Sequence, residues 1–223
     1  MTENPAAPLL PRAGGVGAGP GLFVCFEGGD GAGKSTQVRL LAAALERAGR
    51  HVLVTRQPGG TPLGAQIREL VLHGDHVSPR AEALLFAADK AHHVDELIRP
   101  ALAAGRVVIT DRYTDSSIAY QGAGRDLGAD EIRQLQHWAV GGLFPALTVL
   151  LDVSPDVGRS RRRDVPDRLE SEADDFHAAV RQGFLDLAAR EPDRYLVVDA
   201  GLPADEIHGR VLARLAPLLG ASS

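Results

Sequence analysis

The densest chemistry in the chain lies in FEGGDGAGKST, residues 26–36. Gly28, Gly33, Lys34 and Ser35 satisfy the spacing G-x-x-x-x-G-K-[ST], with an apolar run directly before them and an amphipathic pattern directly after. Small residues at Gly29, Gly31 and Ala32 let backbone N–H groups approach phosphate oxygens, and a helix opening at this point adds its positive dipole end. Lys34 is suited to the β and γ phosphates of a nucleoside triphosphate, and Ser35, followed by Thr36, to Mg²⁺. Asp30 is the one anion among groups that hold anions. The loop alone serves a switch, a motor or a kinase equally well. A GTPase reads guanine through N-K-x-D, and no such segment is present, because only Lys34 and Lys90 among the 24 basic residues are lysines. The donor is therefore expected to be ATP.

The elements that must position this loop follow from the apolar pattern. Five short runs, at 22–26, 51–55, 106–110, 147–153 and 195–199, read as buried strands, with helical patterns between them at 37–49, 82–105, 130–142, 174–192 and 204–219. Strand alternating with helix predicts an α/β fold with a five-stranded parallel sheet covered on both faces, and ligands gather beyond the carboxyl ends of such strands. At 223 residues the chain suits one core. Residues 1–20, rich in Pro, Gly and Ala, read as a flexible tail before a single domain at 21–220.

Composition narrows the partners. A formal charge of −5 argues against general affinity for nucleic acid or anionic membrane. No run approaches the ~18 apolar residues of a membrane span, and the N-terminus lacks the pattern of a secretory signal. The single cysteine, Cys25, suits a reducing compartment, so a cytoplasmic protein is expected. His92 and His93 are adjacent and lack metal-ligand spacing. Leu135, Trp138 and Phe144 are expected in the core.

Four segments in order, the loop, TRQPGGTPLGAQIREL, LLFAADKAHH and DRYTDSSIAYQGAGR, followed by FPALTVLLDVSPDVG and DRLESEADDFHAAVRQGF, resemble the thymidylate kinase family from about residue 22 to the C-terminus. The resemblance implies a P-loop fold of the nucleoside monophosphate kinase kind, with transfer of the γ-phosphate of ATP to dTMP to supply DNA precursors. A kinase for another monophosphate, or an ATPase switch, are the alternatives. It implies ATP contacts along Gly28, Gly29, Asp30, Gly31, Ala32, Gly33, Lys34, Ser35 and Thr36, and a homodimer. It also implies acceptor contacts at Asp30, Arg56, Arg68 and Arg112, base stacking on Phe86 with Lys90 one turn later, and a pocket wall of Ser117, Tyr120 and Gln121. A monophosphate is already ionised near neutral pH, so the site needs positive charge and alignment more than a general base. Arg112 is the main expected catalytic cation beside Lys34. Asp111 is expected either to organise Mg²⁺ or to hold Arg112.

The chain departs from the family pattern where Gln57 and Lys90 replace the usual glutamate and arginine. Gln57 removes a negative charge, and Lys90 offers point donors instead of a planar fork. Position 31, where some relatives carry a loop arginine, is Gly31. The missing charge is then expected from a lid at about 159–170, with Arg159, Arg161, Arg162 and Arg163 as candidates and Arg163 first among them.

Overall fold

The computed structural model describes residues 21–161 and 166–220. Five strands form one parallel sheet in the order β2-β3-β1-β4-β5: β1 Leu22–Glu27, β2 Val52–Arg56, β3 Val107–Asp111, β4 Leu147–Asp152 and β5 Tyr195–Asp199. The three central strands are apolar on both faces because helices cover both faces. The outer two correct the expectation of five buried strands, since Val54 on β2 and Val197 on β5 are 48% and 46% exposed. An edge strand has one neighbour, and its outer residues meet solvent.

One face of the sheet is covered by α1 (Lys34–Arg47) and α9 (Ala204–Gly220), which bring Leu41, Leu45, Val211 and Leu215 onto Val24, Ile109 and Val149. The other face meets α3 (Pro79–His93), α6 (Ala129–Ala139) and α8 (Asp174–Arg190), with Phe86, Ile132 and Phe184 in one apolar cluster. A third cluster gathers Phe23, Cys25, Val108 and Tyr113. Burial pushes the Cys25 thiol well above its ordinary range, so it is an inert core side chain.

Two expectations need correction. The helical pattern at 82–105 is not one α-helix: α3 gives way to a π-helical turn at Val94–Ile98 and then to α4 (Arg99–Ala103). Pro100 lacks the N–H that would bond a carbonyl of the preceding turn, and the π-helical turn falls just ahead of it while the backbone stays helical throughout. Trp138 is not core but 80% exposed. Helix α6 buries Ile132 and Gln136, and at 100° per residue Trp138 falls about 200° from Gln136, on the outer side. Leu135 and Phe144 pack only partly against their clusters. Among the described residues no helix is long and apolar enough to cross a membrane.

Shorter helices carry the site: α2 (Pro62–Arg68), α5 (Thr114–Ser117) running into a π-helical turn at Ile118–Gly124, and α7 (Pro155–Arg161). Helix α2 is capped by the Thr61 hydroxyl, which accepts from Gly64 N at 3.0 Å, and proline follows the cap.

Candidate active site

Strand register levels the ends that matter. Phe26 of β1 and Arg56 of β2 both pair with Asp111 of β3, so the segments that follow these strands open onto one crevice. From β1 the chain enters the glycine loop and then α1. Lys34 is buried, and its ammonium donates to the carbonyls of Gly28 and Gly29 at 3.1 and 2.8 Å. Burial, followed by the Arg112 charge, lowers its pKa. Ser35 Oγ donates to Asp111 Oδ2 at 3.1 Å.

Gly31 explains itself through the structure. It lies at φ +74°, a conformation that side chains rarely adopt, and an added Cβ would collide with the Gly158 carbonyl of α7. The contact is mutual, because a Cβ at Gly158 would collide with the Asp30 carbonyl. The phosphate loop and the first turns of α7 therefore touch backbone to backbone, with no room for a side chain at either position.

Arg112 follows β3 and carries a left-handed φ of 67°, unusual for a residue with a side chain. Its backbone is held by a bond from Arg112 N to Phe26 O at 2.9 Å, and Thr110 Oγ1 donates to its carbonyl at 2.9 Å. Strain of this kind persists when the surroundings dictate it, commonly at functional sites. The guanidinium pairs with Asp30, donates to Gly28 O at 3.1 Å and Ser116 Oγ at 3.2 Å, and lies 5.1 Å from the Tyr120 ring centre. Burial works against its charge, but Tyr120, Asp30 and Glu27 more than compensate and its pKa is raised. The alternative that Asp111 holds Arg112 is thereby corrected: Asp30 holds it, and Asp111 faces Ser35. Asp30 also accepts from the Tyr120 hydroxyl at 3.3 Å.

Two cavities meet here. The larger, about 760 Å³, follows the phosphate loop and is lined by Lys34, Ser35, Thr36, Arg56, Asp111 and Arg161. The smaller, about 120 Å³, is lined by Phe86, Lys90, Ser117, Tyr120, Gln121 and Leu169. Asp30, Gln57, Arg68, Arg112 and Glu170 line both. A group bound in one meets a group bound in the other across these five residues.

In the smaller cavity Lys90 Nζ donates to Ser117 Oγ at 2.9 Å and to Phe86 O at 3.4 Å, and lies 5.5 Å from the Phe86 ring centre. Burial lowers its pKa to about 8, although Asp89 and Glu27 partly offset the effect. Arg68 donates to Pro58 O at 3.3 Å, and its pKa is lowered by burial and by the Arg56 charge. Gln57 is within 2.8 Å of His93 Nδ1, and the other ring nitrogen is 2.7 Å from Thr55 Oγ1. Burial and the Lys90 charge lower the His93 pKa to about 4, so this histidine is a neutral strut.

Of the lid candidates, Arg161 reaches the larger cavity and donates to Ala200 O at 2.8 Å. Arg159 pairs with Asp174 at the start of α8, lies 3.8 Å from Asp156, and lines a further small cavity beside Gly28, Gly29 and Asp30. Arg162 and Arg163 lie outside the described residues. Among the described residues no group of three or more His, Cys, Asp or Glu gathers as a metal site.

Three residues of this site carry no motif signal of their own. Glu27 is fully buried and accepts from Tyr113 N at 2.8 Å, Ser116 N at 3.1 Å and Ser116 Oγ at 2.6 Å, which fixes the turn bearing Arg112. Burial raises its pKa. His93 supports Gln57, and Glu82 accepts from Gln121, which lines the smaller cavity. A charge ending an apolar run marked Glu27, and the i, i+4, i+8 spacing of Glu82, Phe86 and Lys90 on one helix face marked Glu82.

A family model described as thymidylate kinase matches residues 26–211. The chain belongs to the thymidylate kinase family. It is 57% identical over 207 residues to the thymidylate kinase of Clavibacter sepedonicus, covering 91% of this chain and 98% of the relative. It is 58% identical over 201 residues to that of Leifsonia xyli subsp. xyli, covering 88% and 95%. A crystal structure of thymidylate kinase from Ehrlichia chaffeensis superposes with a TM-score of 0.73 at 33% identity, over 88% of this chain and 98% of that one. As a thymidylate kinase family member, the chain is a nucleoside monophosphate kinase that uses ATP.

The Gly31–Gly158 contact yields a prediction that needs no ligand assignment beyond the loop itself. Gly158→Ala is expected to lower kcat by about tenfold or more, because a displaced loop misaligns its phosphate contacts. Steady-state kinetics beside far-UV circular dichroism check it, and wild-type kcat would refute the steric argument.

Proposed function

We propose that this protein transfers the γ-phosphate of ATP to dTMP, yielding dTDP for DNA precursor synthesis. Arg112 carries the reading, because it stands where the two cavities join and is held charged in a buried setting. In this assignment the larger cavity takes the ATP phosphates along Gly28 to Thr36, with Lys34 exchanging its loop carbonyls for phosphate oxygens. The smaller cavity takes dTMP, with Phe86 against the base, Ser117, Tyr120 and Gln121 around base and sugar, and Asp30 toward the sugar 3′-hydroxyl. Arg112, Arg68 and Arg56 neutralise and orient the acceptor phosphate, whose oxygen attacks in line without a strong base.

Magnesium fits the donor set of this chain. Ser35 and Asp111 offer a hydroxyl and a carboxylate together at the loop, and Mg²⁺ is typically held by few protein oxygens plus substrate phosphates. When bound, the ion supplies charge neutralisation on the phosphates. Gln57 lacks the charge to ligate a cation strongly, and its partner is the neutral His93.

A single kinase domain over 21–220 carries both sites, with 159–170 as the lid over ATP. With Gly31 closed to any side chain, the lid supplies the transition-state charge, and Arg161, Arg162 and Arg163 remain its candidates once Arg159 is assigned to Asp174. Partners beyond the two nucleotides are limited to a second copy of the chain, without nucleic acid or membrane, in the cytoplasm. Leu63, Leu70, Leu84 and Trp138, exposed on α2, the turn after it, α3 and α6, support the homodimer. Sedimentation that gives a monomer at micromolar protein would reject it.

The function is tested by incubating the protein with ATP, Mg²⁺ and each of dTMP, dUMP, dCMP and dGMP and measuring ADP. Preference for dTMP is expected; ADP release that ignores the acceptor, or preference for another base, would sink the proposal. Replacing the lid arginines singly should leave Arg159→Ala mild and reveal one of the other three whose loss lowers kcat at least ~100-fold. Uniformly mild effects would place the charge elsewhere. With its pKa at about 8, Lys90 loses charge between pH 7 and pH 9, and KM for dTMP should rise across that range. In Lys90→Arg, where the cation does not titrate, the rise should vanish; an identical profile in both would show that residue 90 does not govern base affinity.

A further inference from the structure

We propose that Glu82 is a positioning residue for base selection: it fixes the orientation of the Gln121 amide and so makes the acceptor pocket favour a base that carries a hydrogen-bond donor at N3. The proposal rests on the assignment of the smaller cavity to the acceptor base. Glu82 is fully buried, and its carboxylate collects four donors. Gln121 Nε2 donates to Oε1 at 2.9 Å; Arg125 donates from Nε to Oε1 and from Nη2 to Oε2, both at 3.4 Å; Arg168 donates to Oε2 and also from its Nε to Val71 O at 2.8 Å. Arg125 is itself anchored by Glu172 at 2.6 Å.

A glutamine amide has a donor end and an acceptor end of nearly equal shape, so its orientation is decided by what it faces. Opposite an ionised carboxylate, which only accepts, the NH₂ end must point to Glu82. The carbonyl end of Gln121 is then the end left for the cavity, which Gln121 lines together with Lys90 and Phe86. Among the polar groups of the cavity wall, Gln121 thus offers an acceptor and the Lys90 ammonium a donor. Thymine presents the matching pair, a donor at N3 and an acceptor at O4. Cytosine presents the reverse, an acceptor at N3 and an amino donor at C4. A buried acceptor that faces an acceptor is left unpaired, and sites built on such hydrogen bonds reject the wrong analogue strongly. Glu82 has no need to touch the substrate: Phe86 and Lys90, one and two turns further along the same face of α3, are the cavity-lining members of that row.

The proposal is tested by measuring kcat/KM for dTMP and dCMP at saturating ATP in the wild type, Glu82→Gln, Glu82→Asp and Gln121→Leu. In Glu82→Gln the new neutral amide can donate as well as accept, so Gln121 is free to turn over, and the dTMP:dCMP ratio should fall by at least about tenfold. Glu82→Asp keeps the countercharge for Arg125 and Arg168, and hence the fold, while drawing the carboxylate back by about one bond length; its ratio should fall by a smaller factor. Gln121→Leu should fall at least as far as Glu82→Gln. A lesion of packing alone lowers both nucleotides together and leaves the ratio unchanged, and that result in the Glu82 variants, beside a lowered ratio in Gln121→Leu, overturns the role of Glu82 alone. An unchanged ratio in Gln121→Leu overturns the reading of Gln121 as a base contact, and with it the route from Glu82.

Discussion

The site depends on keeping a guanidinium charged and still in a buried place, without the water that would normally solvate it. Arg112 ends up at the junction of two cavities because β3 delivers it there, and its left-handed backbone turns the side chain across the phosphate loop. Asp30 holds it from the loop and Ser116 from the far side, while Glu27 secures the turn that carries Ser116. Burial alone would oppose the charge; the surrounding acidic and hydroxyl groups reverse that balance. Asp30 is thus no contradiction in an anion site. It is the counterion that makes a buried cation tolerable until phosphates arrive, and an ion pair with one partner removed would be costly to keep.

Around this junction the polar groups work in supporting pairs. Lys34 rests on loop carbonyls, Ser35 on Asp111, Lys90 on Ser117, Gln57 on the neutral His93, and Gln121 on Glu82. Such groups are pre-oriented, so little rearrangement is needed when charge has to be stabilised, which is where enzymes of this kind find most of their rate. The sheet register makes the arrangement possible by levelling the ends of β1, β2 and β3.

Much of this was legible in the residue pattern. The glycine loop, its lysine and the strand-helix alternation are local signals, and local signals survive folding. The row Phe86 and Lys90 was readable from helical spacing, and Glu82 belongs to the same row. What stayed hidden depends on partners distant in sequence: Arg112 could have been held by its neighbour Asp111, and only the path of the chain after β1 decides for Asp30. Trp138 misled because an aromatic side chain reads as core unless the buried side of its helix is known, and that side was set by Ile132 and Gln136. The π-helical turn ahead of Pro100 was marked by the proline itself, yet an unbroken helical pattern ran through it.

The meeting of Gly31 with Gly158 also constrains the ways this enzyme can change. Two backbones packed this tightly behave as a lock with a single key: a mutation on either side alone meets a wall, and an arginine cannot be moved into the loop one substitution at a time. A side chain at either position would require α7 to lift away from the loop. Loop and α7 can therefore vary at this seam only together, and a ligand that wedges between them would exploit a joint the protein cannot easily alter.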